Sequence, residues 1–318
     1  MTRKESQLES IALGATDVRV PPIGIGTWQW GDTLVWGYGR GGYTDADLRA
    51  AFDACLVNGI DFFDTAEGYG RGRSERLLGE FIRASGRPAI VATKFMPLPW
   101  RLRHGSLVAA LRRSLGRLGL ARVDLYQIHW PFPPRSVETW AGALADAVEA
   151  GLARAVGVSN FSAGQMRRAH QALARRGIPL ASNQVGYSLL QRGPERSGLL
   201  AACRELNVTL IAYSPLAKGL LTGKYSPEHR PSGVRRWMWS REKLAHAQSL
   251  VALLRHIGES HGGKTLSQVA LNWLMCKGAL PIPGVKNARH VSDNLGAVGW
   301  RLTDEEVAAL DAASERVV

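Results

Sequence analysis

The sequence predicts an α/β fold in which eight strands alternate with helices and close into a parallel (β/α)8 barrel, a TIM barrel, with a short β-hairpin in front of it. Two observations carry that prediction. Apolar runs of strand length recur at 23–27, 60–64, 89–94, 123–129, 153–158, 181–185, 208–213 and 280–283. The segments between them, 45–58, 73–84, 105–118, 136–150, 162–176, 198–206 and 265–277, repeat their apolar residues at helical spacing. Alternation alone does not establish closure, so an open doubly wound sheet is the competing architecture. With 318 residues and no internal repeat, the chain reads as a single domain over 1–318.

Taken in order, Ile11-Ala-Leu-Gly14 and Val18-Arg-Val20 suit a hairpin covering the barrel bottom. The first barrel strand runs into Gly24-Ile-Gly26-Thr27-Trp28, which matches the GxGxxG dinucleotide fingerprint only loosely. There is no P-loop, HExxH or GxSxG, so the chemistry has to come from residues at strand ends, where a barrel builds its active loops. The second strand leads through Asp64 to Tyr69, the third ends at Lys94 and the fourth at His129. An acid, a phenol, an amine and an imidazole thereby gather at one end of the sheet, the ingredients of acid–base catalysis. The fifth strand leads to Ser159 and Asn160, the sixth carries Gln184 and the seventh ends in Tyr213. After the eighth, Gly284-Val-Lys286-Asn287 lies near the start of a helix, a position where barrels collect phosphate.

Forty Lys and Arg against 27 Asp and Glu leave a formal charge of +13. Such a surface attracts polyanions and equally favours a phosphorylated cofactor. The basic residues are spread among helices, as in Arg112-Arg113, Arg167-Arg168 and Arg175-Arg176, with no zinc or RNA-binding module. That pattern reads as a solvated basic face rather than specific nucleic-acid recognition. Cys55, Cys203 and Cys276 show no metal-ligand spacing and sit in apolar settings, so they read as packing residues in a reducing compartment, and no metal is expected. The start of the chain lacks a secretory h-region, and no apolar run reaches the ~20 residues of a membrane span. A cytoplasmic protein without membrane association is the expectation.

Across nearly the whole chain these residues resemble the aldo-keto reductase family. The resemblance is carried by Pro22-Ile-Gly-Ile-Gly-Thr-Trp28, Asp61-Phe-Phe-Asp-Thr-Ala-Glu-Gly-Tyr69, Thr93-Lys94, Asp124-Leu-Tyr-Gln-Ile-His129, Gly157-Val-Ser-Asn160, Ser182-Asn-Gln184, Tyr213-Ser-Pro-Leu216 and Ile282-Pro-Gly284. Segment 214–224 is most similar to the bacterial and plant branch. The resemblance implies a catalytic tetrad of Asp64, Tyr69, Lys94 and His129. Tyr69 would donate a proton to a carbonyl oxygen, Lys94 would favour its phenolate, Asp64 would hold Lys94, and a neutral His129 would orient the carbonyl. Taken singly, each has a blander reading: a structural ion pair, a core histidine, a loop aromatic.

The resemblance also implies NADPH/NADP+ as cofactor. Thr27 and Trp28 fall within its first motif and count among the cofactor-binding positions. Ser159, Asn160 and Gln184 would bond the nicotinamide carboxamide, or merely cap and turn. Tyr213 would stack on the ring, and Ser214, Leu216, Lys218 and Gly219 would flank the pyrophosphate. Gly284 and Lys286 belong to the phosphate segment, Lys286 facing the 2′-phosphate. His290 stands where many relatives carry arginine or glutamine, and Asn294 would meet the adenine. A neutral imidazole offers less than a guanidinium fork, which narrows the expected margin over NADH.

Trp28, Trp30, Trp100, Trp130, Trp237 and Trp239 suit an aromatic mouth for an aromatic or heteroaromatic aldehyde, or else pack loops. Arg101, Arg103, Arg235 and Arg236 suit an anionic carbonyl compound, or else meet solvent. The enzyme reading, NADPH-dependent reduction of aldehydes with ketones as a secondary class, competes with a nucleotide-sensing regulatory subunit of little turnover and with a barrel retained as a scaffold. The partner expected on this reading is a small-molecule carbonyl compound, and a homo-oligomer is compatible with it.

Overall fold

Alternation of side chains along a strand, two residues to the repeat, sorts this sheet into an inner and an outer surface. The computed structural model describes residues 8–39, 42–101, 103–231 and 240–317. The hairpin strands β1 (Ile11–Ala12) and β2 (Arg19–Val20) pair antiparallel. The barrel strands follow as β3 (Ile25–Gly26), β4 (Phe62–Asp64), β5 (Ile90–Phe95), β6 (Val123–Ile128), β7 (Ala153–Ser159), β8 (Leu180–Gly186), β9 (Thr209–Tyr213) and β10 (Leu280–Pro281). They lie parallel in chain order from β3 to β10.

A parallel bridge between Gly26 and Gly284 joins the two ends of this sheet. Beside it, the amides of Gly24 and Gly26 donate to the carbonyls of Pro281 (3.0 Å) and Pro283 (3.1 Å). These bonds close the barrel and exclude the open sheet.

Inside the barrel, Phe62, Ala92, Leu125, Ala155, Ala181, Ile211 and Leu280 form an apolar floor, which Leu13, Val18 and Val20 of the hairpin region seal from below. Two residues further along three strands, the same inward face carries Asp64, Lys94 and Gln127, so a polar layer rests on a carbon one. Gly157 continues the layer as the register partner of Gln127 and Ser182. A Cβ there would lie 2.3 Å from Ser182 Oγ, so the position accepts no side chain without displacement.

The outward faces, such as Phe63, Tyr126 and Val156, pack against the helices in the larger core. Those helices are α1 (Asp45–Val57), α2 (Arg73–Ser85), α3 (Ser106–Leu118), α4 (Val137–Glu149), α5 (Ala163–Ala174), α6 (Gly193–Arg196), α7 (Leu199–Glu205), α8 (Arg241–Ser260), α9 (Leu266–Cys276), α10 (Ala288–Leu295) and α11 (Asp304–Glu315). Side-chain caps fix many of their starts. Thr44, Ser162, Thr265 and Thr303 form reciprocal capping boxes, each worth about 1 kcal/mol. Cys55 and Cys203 are buried as packing residues, and Cys276 is half-buried. Among the described residues no helix is long and apolar enough to cross a membrane.

Candidate active site

The C-terminal ends of the strands open into a cavity of about 620 Å³. Asp64, Tyr69 and His129 line it, together with Trp28, Ser159, Asn160, Gln184, Tyr213, Ser214, Leu216, Lys218, Gly219, Gly284, Lys286, His290 and Asn294. Lys94 and Thr27 do not. Lys94 is fully buried beneath Tyr69. Thr27 sits behind Asp64, donating through Oγ1 to the Asp64 carbonyl at 3.0 Å, with Ser74 Oγ 2.7 Å away. Its contribution is to brace the strand end that carries Asp64.

Tyr69 stands on a short 3-10 turn, Tyr69–Gly72, that runs directly into α2. Ser74 and Glu75 in the first turn of α2 lock that helix against the barrel. Ser74 Oγ donates to the Thr27 carbonyl (3.0 Å) and accepts from Thr65 Oγ1 (2.9 Å), while Glu75 accepts from Thr93 Oγ1 (2.6 Å) and pairs with Arg117 (2.5 Å). The turn bearing the phenol is thus tied to β3, β4 and β5.

Around Lys94 Nζ, Asp64 Oδ1 lies at 2.5 Å, the Thr65 carbonyl at 2.9 Å and the Tyr69 hydroxyl at 3.3 Å. Burial works against the ammonium. The Asp64 carboxylate and the Tyr69 hydroxyl outweigh it, holding the Lys94 pKa above its ordinary value. Burial raises the Tyr69 pKa, opposed by the charge of Lys94, so the phenol keeps its proton. His129, whose ring meets that of Tyr69 edge-on at 5.9 Å, is pulled down to about 3 by burial and then by Lys94, and is neutral. The arrangement holds one proton on a phenol and one positive charge beneath it, beside a neutral imidazole. Such a centre can protonate an oxygen and stabilise the phenolate left behind.

Two glutamines complete the centre. Gln184 Nε2 and Gln127 Nε2 donate to Asp64 Oδ2 at 2.8 and 3.2 Å. Gln127 was not singled out from sequence, although it lies two residues before His129 on the inward face of its strand. Asn160, in a left-handed conformation (φ 63°), donates to the His129 carbonyl at 3.0 Å and accepts from the Tyr213 hydroxyl at 2.9 Å. Ser159 Oγ donates to the Gln184 carbonyl at 2.8 Å. These residues brace one another across β7, β8 and β9.

Ser214, Ala217 and Lys218 also have positive φ, and side chains rarely adopt it, so this cavity-lining loop is locally strained. Further along the cavity, Lys218, Lys224 and Lys286 concentrate positive charge beside the N-terminus of α10, with the His290 imidazole among them. Lys286 Nζ donates to the Trp36 carbonyl at 3.3 Å and lies 4.4 Å from the Tyr43 ring centroid. His290 Nδ1 accepts from the Lys286 amide at 3.3 Å, and burial, with Lys224 and Lys286, lowers its pKa. Asn294 Nδ2 is buried without a partner at the same end. Basic groups, a helix N-terminus and an orphaned amide donor fit a phosphorylated dinucleotide.

Of the tryptophans, Trp28 and Trp130 line the cavity, joined by Trp36. Trp130 stacks on Phe132 with centroids 5.6 Å apart. Trp30 belongs to the core, its indole donating to the Val285 carbonyl at 3.1 Å, and Trp100 is 75% exposed. Arg101 is engaged by Glu67, whose Oε1 also accepts from the Met96 amide, and Arg103 is exposed. Trp237, Trp239, Arg235 and Arg236 lie outside the described residues.

Comparison with known proteins gives the same picture. The aldo/keto reductase family profile matches residues 22–315. A chloroplastic pyridoxal reductase of Arabidopsis thaliana is 46% identical over 310 residues, covering 93% of this chain and 84% of its own. An NADP(+) aldo-keto reductase of Schizosaccharomyces pombe is 33% identical, covering 93% and 89%. Among solved structures, a glycerol dehydrogenase of Gluconobacter oxydans superposes with a TM-score of 0.84 at 28% identity, over 97% of this chain and 96% of that one. With the family profile spanning most of the sequence and these relatives matching it nearly end to end, the chain belongs to the aldo-keto reductase family and is an NADPH-dependent oxidoreductase.

Proposed function

We propose that the chain reduces a planar heteroaromatic aldehyde to its alcohol, with pyridoxal as the lead substrate and Tyr69 as proton donor. One observation carries the reading most directly: the Asp64–Lys94–Tyr69 chain, with neutral His129 beside it, lies under walls of Trp28, Trp36, Met96 and Trp130. Flat aromatic walls favour a flat ring. The pyridoxal reductase among the relatives supports the same substrate class.

Bound NADPH supplies the hydride. With that hydride delivered to the carbonyl carbon, the C=O π bond would open onto oxygen, and Tyr69 would give its hydroxyl proton to that oxygen. The phenolate left behind faces the Lys94 ammonium at 3.3 Å. Asp64 keeps that ammonium in place at 2.5 Å. His129 offers its neutral ring to orient the carbonyl oxygen. Trp28, Ser159, Asn160, Gln184 and Tyr213 serve the nicotinamide end. Ser214, Leu216, Lys218, Gly219, Gly284, Lys286, His290 and Asn294 serve the phosphates and adenine, with Thr27 bracing the strand end behind.

A panel of carbonyl compounds assayed with NADPH and with NADH tests the proposal. Pyridoxal should rank among the best substrates and be turned over faster with NADPH. Turnover of aliphatic aldehydes alone would overturn the substrate reading. NADPH binding without turnover of any member would favour a nucleotide-sensing subunit.

A further inference from the structure

The two oxygens of the buried Asp64 carboxylate are divided between partners. Oδ1 faces Lys94, and Oδ2 accepts from Gln184 at 2.8 Å and from Gln127 at 3.2 Å. These donors are not equivalent. Gln184 lines the cavity, within reach of a ligand, whereas Gln127 is fully buried and does not. Gln127 is held from its other side by Ser182 Oγ, 3.5 Å from Oε1, and the missing side chain at Gly157 leaves room for it: a Cβ there would approach Gln127 Cγ to 3.2 Å.

A buried amide is costly in a barrel whose next layer down is Phe62, Ala92 and Leu125, and it is retained only where its hydrogen bonds are made. We propose that Gln127 is a positioning residue for the reduction. It keeps Oδ2 occupied, and so keeps Oδ1 aimed at Lys94, when a ligand in the cavity draws the Gln184 amide away. The inference rests on the reading of Asp64, Lys94 and Tyr69 as the proton-donating centre.

Gln127 is faced by Asp64 from β4, by its register partners Lys94 on β5 and Gly157 on β7, and by Ser182 from β8, while Gln184 shares Asp64 Oδ2 with it. Two variants separate a positioning role from a structural one. Gln127→Leu keeps the bulk and removes the donor. With NADPH and a good aldehyde, its kcat should fall about tenfold while the Kd for NADPH and the KM for aldehyde stay within about twofold. Gln127→Glu keeps the shape and sets a second carboxylate beside Asp64, so that the pair retains a shared proton at low pH. It should be more impaired than Gln127→Leu at pH 8 and recover toward wild type at pH 6, where the shared proton restores a donor. Gln127→Leu should show no such recovery.

Wild-type kcat in both variants, a loss confined to NADPH affinity, or failure of both chains to fold would each overturn the proposal. Wild-type and Tyr69→Phe proteins assayed alongside distinguish its failure from that of the reading beneath it. A wild type that turns over, a Tyr69→Phe chain that does not, and unimpaired Gln127 variants would remove this inference alone.

Discussion

Replacing Lys94 with methionine removes one charge and little volume from the best-defined interaction in the molecule. Lys94 is fully buried, and its ammonium touches Asp64 at 2.5 Å, the Thr65 carbonyl at 2.9 Å and Tyr69 at 3.3 Å. Two separate losses follow. Asp64 keeps a buried charge without its counter-ion, which costs about 3–5 kcal/mol of stability. Catalysis loses the positive charge facing the phenolate. At 3.3 Å and an effective dielectric constant of about 20, that attraction has a ceiling of about 5 kcal/mol, so kcat should fall by roughly 10²–10³-fold.

Combining Lys94→Met with Asp64→Asn removes both charges and should return most of the stability while leaving kcat low. Urea unfolding and steady-state reduction of an aromatic aldehyde by NADPH, on the two single variants and the double, read the two losses independently. A Lys94→Met protein within about 1 kcal/mol of wild type and within a few-fold of its kcat would refute the reasoning. So would a double variant that regains activity.

At the far end of the cavity, Lys286→Met should raise the Kd for NADPH by about tenfold, about 1.4 kcal/mol, and leave that for NADH nearly unchanged. Because Lys286 also holds the Trp36 carbonyl, equal weakening of both cofactors in titration would make it a loop anchor instead. His129 is held down to about 3 against about 6.5 in the unfolded chain. Its neutral form therefore contributes stability above about pH 6.5 that is lost as pH falls toward 3, by about 2 kcal/mol between pH 6.5 and 5. His129→Gln lacks this loss, so the stability difference from wild type should change across that window in urea titrations; a constant difference would mean that the imidazole is not held neutral. Gly157→Ala sets a methyl 2.3 Å from Ser182 Oγ and should cost about 1–3 kcal/mol by the same measurement. An unchanged unfolding midpoint would show that the polar layer yields easily.

Much of the barrel was legible because apolar runs and helical spacings are local properties. The segment 45–58 became α1 at Asp45–Val57, and 123–129 became β6 at Val123–Ile128. Closure was expected from the count of alternating elements, but the contact that makes it, Gly26 meeting Gly284, spans the whole chain and has no local signal. Helix α8 went unread although Leu244, Ala247, Leu250, Val251, Leu254 and Ile257 carry its spacing, as did α11 despite the Thr303–Glu306 capping box.

At the candidate site, Asp64, Tyr69, Lys94 and His129 each end or follow a strand, and barrel geometry brings them together. Gln127 was missed because its partner Asp64 is 63 residues away across the barrel. A count of two back from His129 would have placed it on the inward face. Thr27 and Trp30 show the opposite limit: sequence marks them as near the strand end, but only packing decides that one braces Asp64 and the other fills the core.

The central claim is that Tyr69 donates the proton, and Tyr69→Phe tests it most directly because only the hydroxyl 3.3 Å from Lys94 is lost. The decisive measurement is the single-turnover rate of pyridoxal reduction at saturating NADPH, alongside the Kd for NADPH. The account predicts a fall of about 10²-fold or more in rate with cofactor affinity unchanged. A rate within a few-fold of wild type would contradict it and assign the proton to another group.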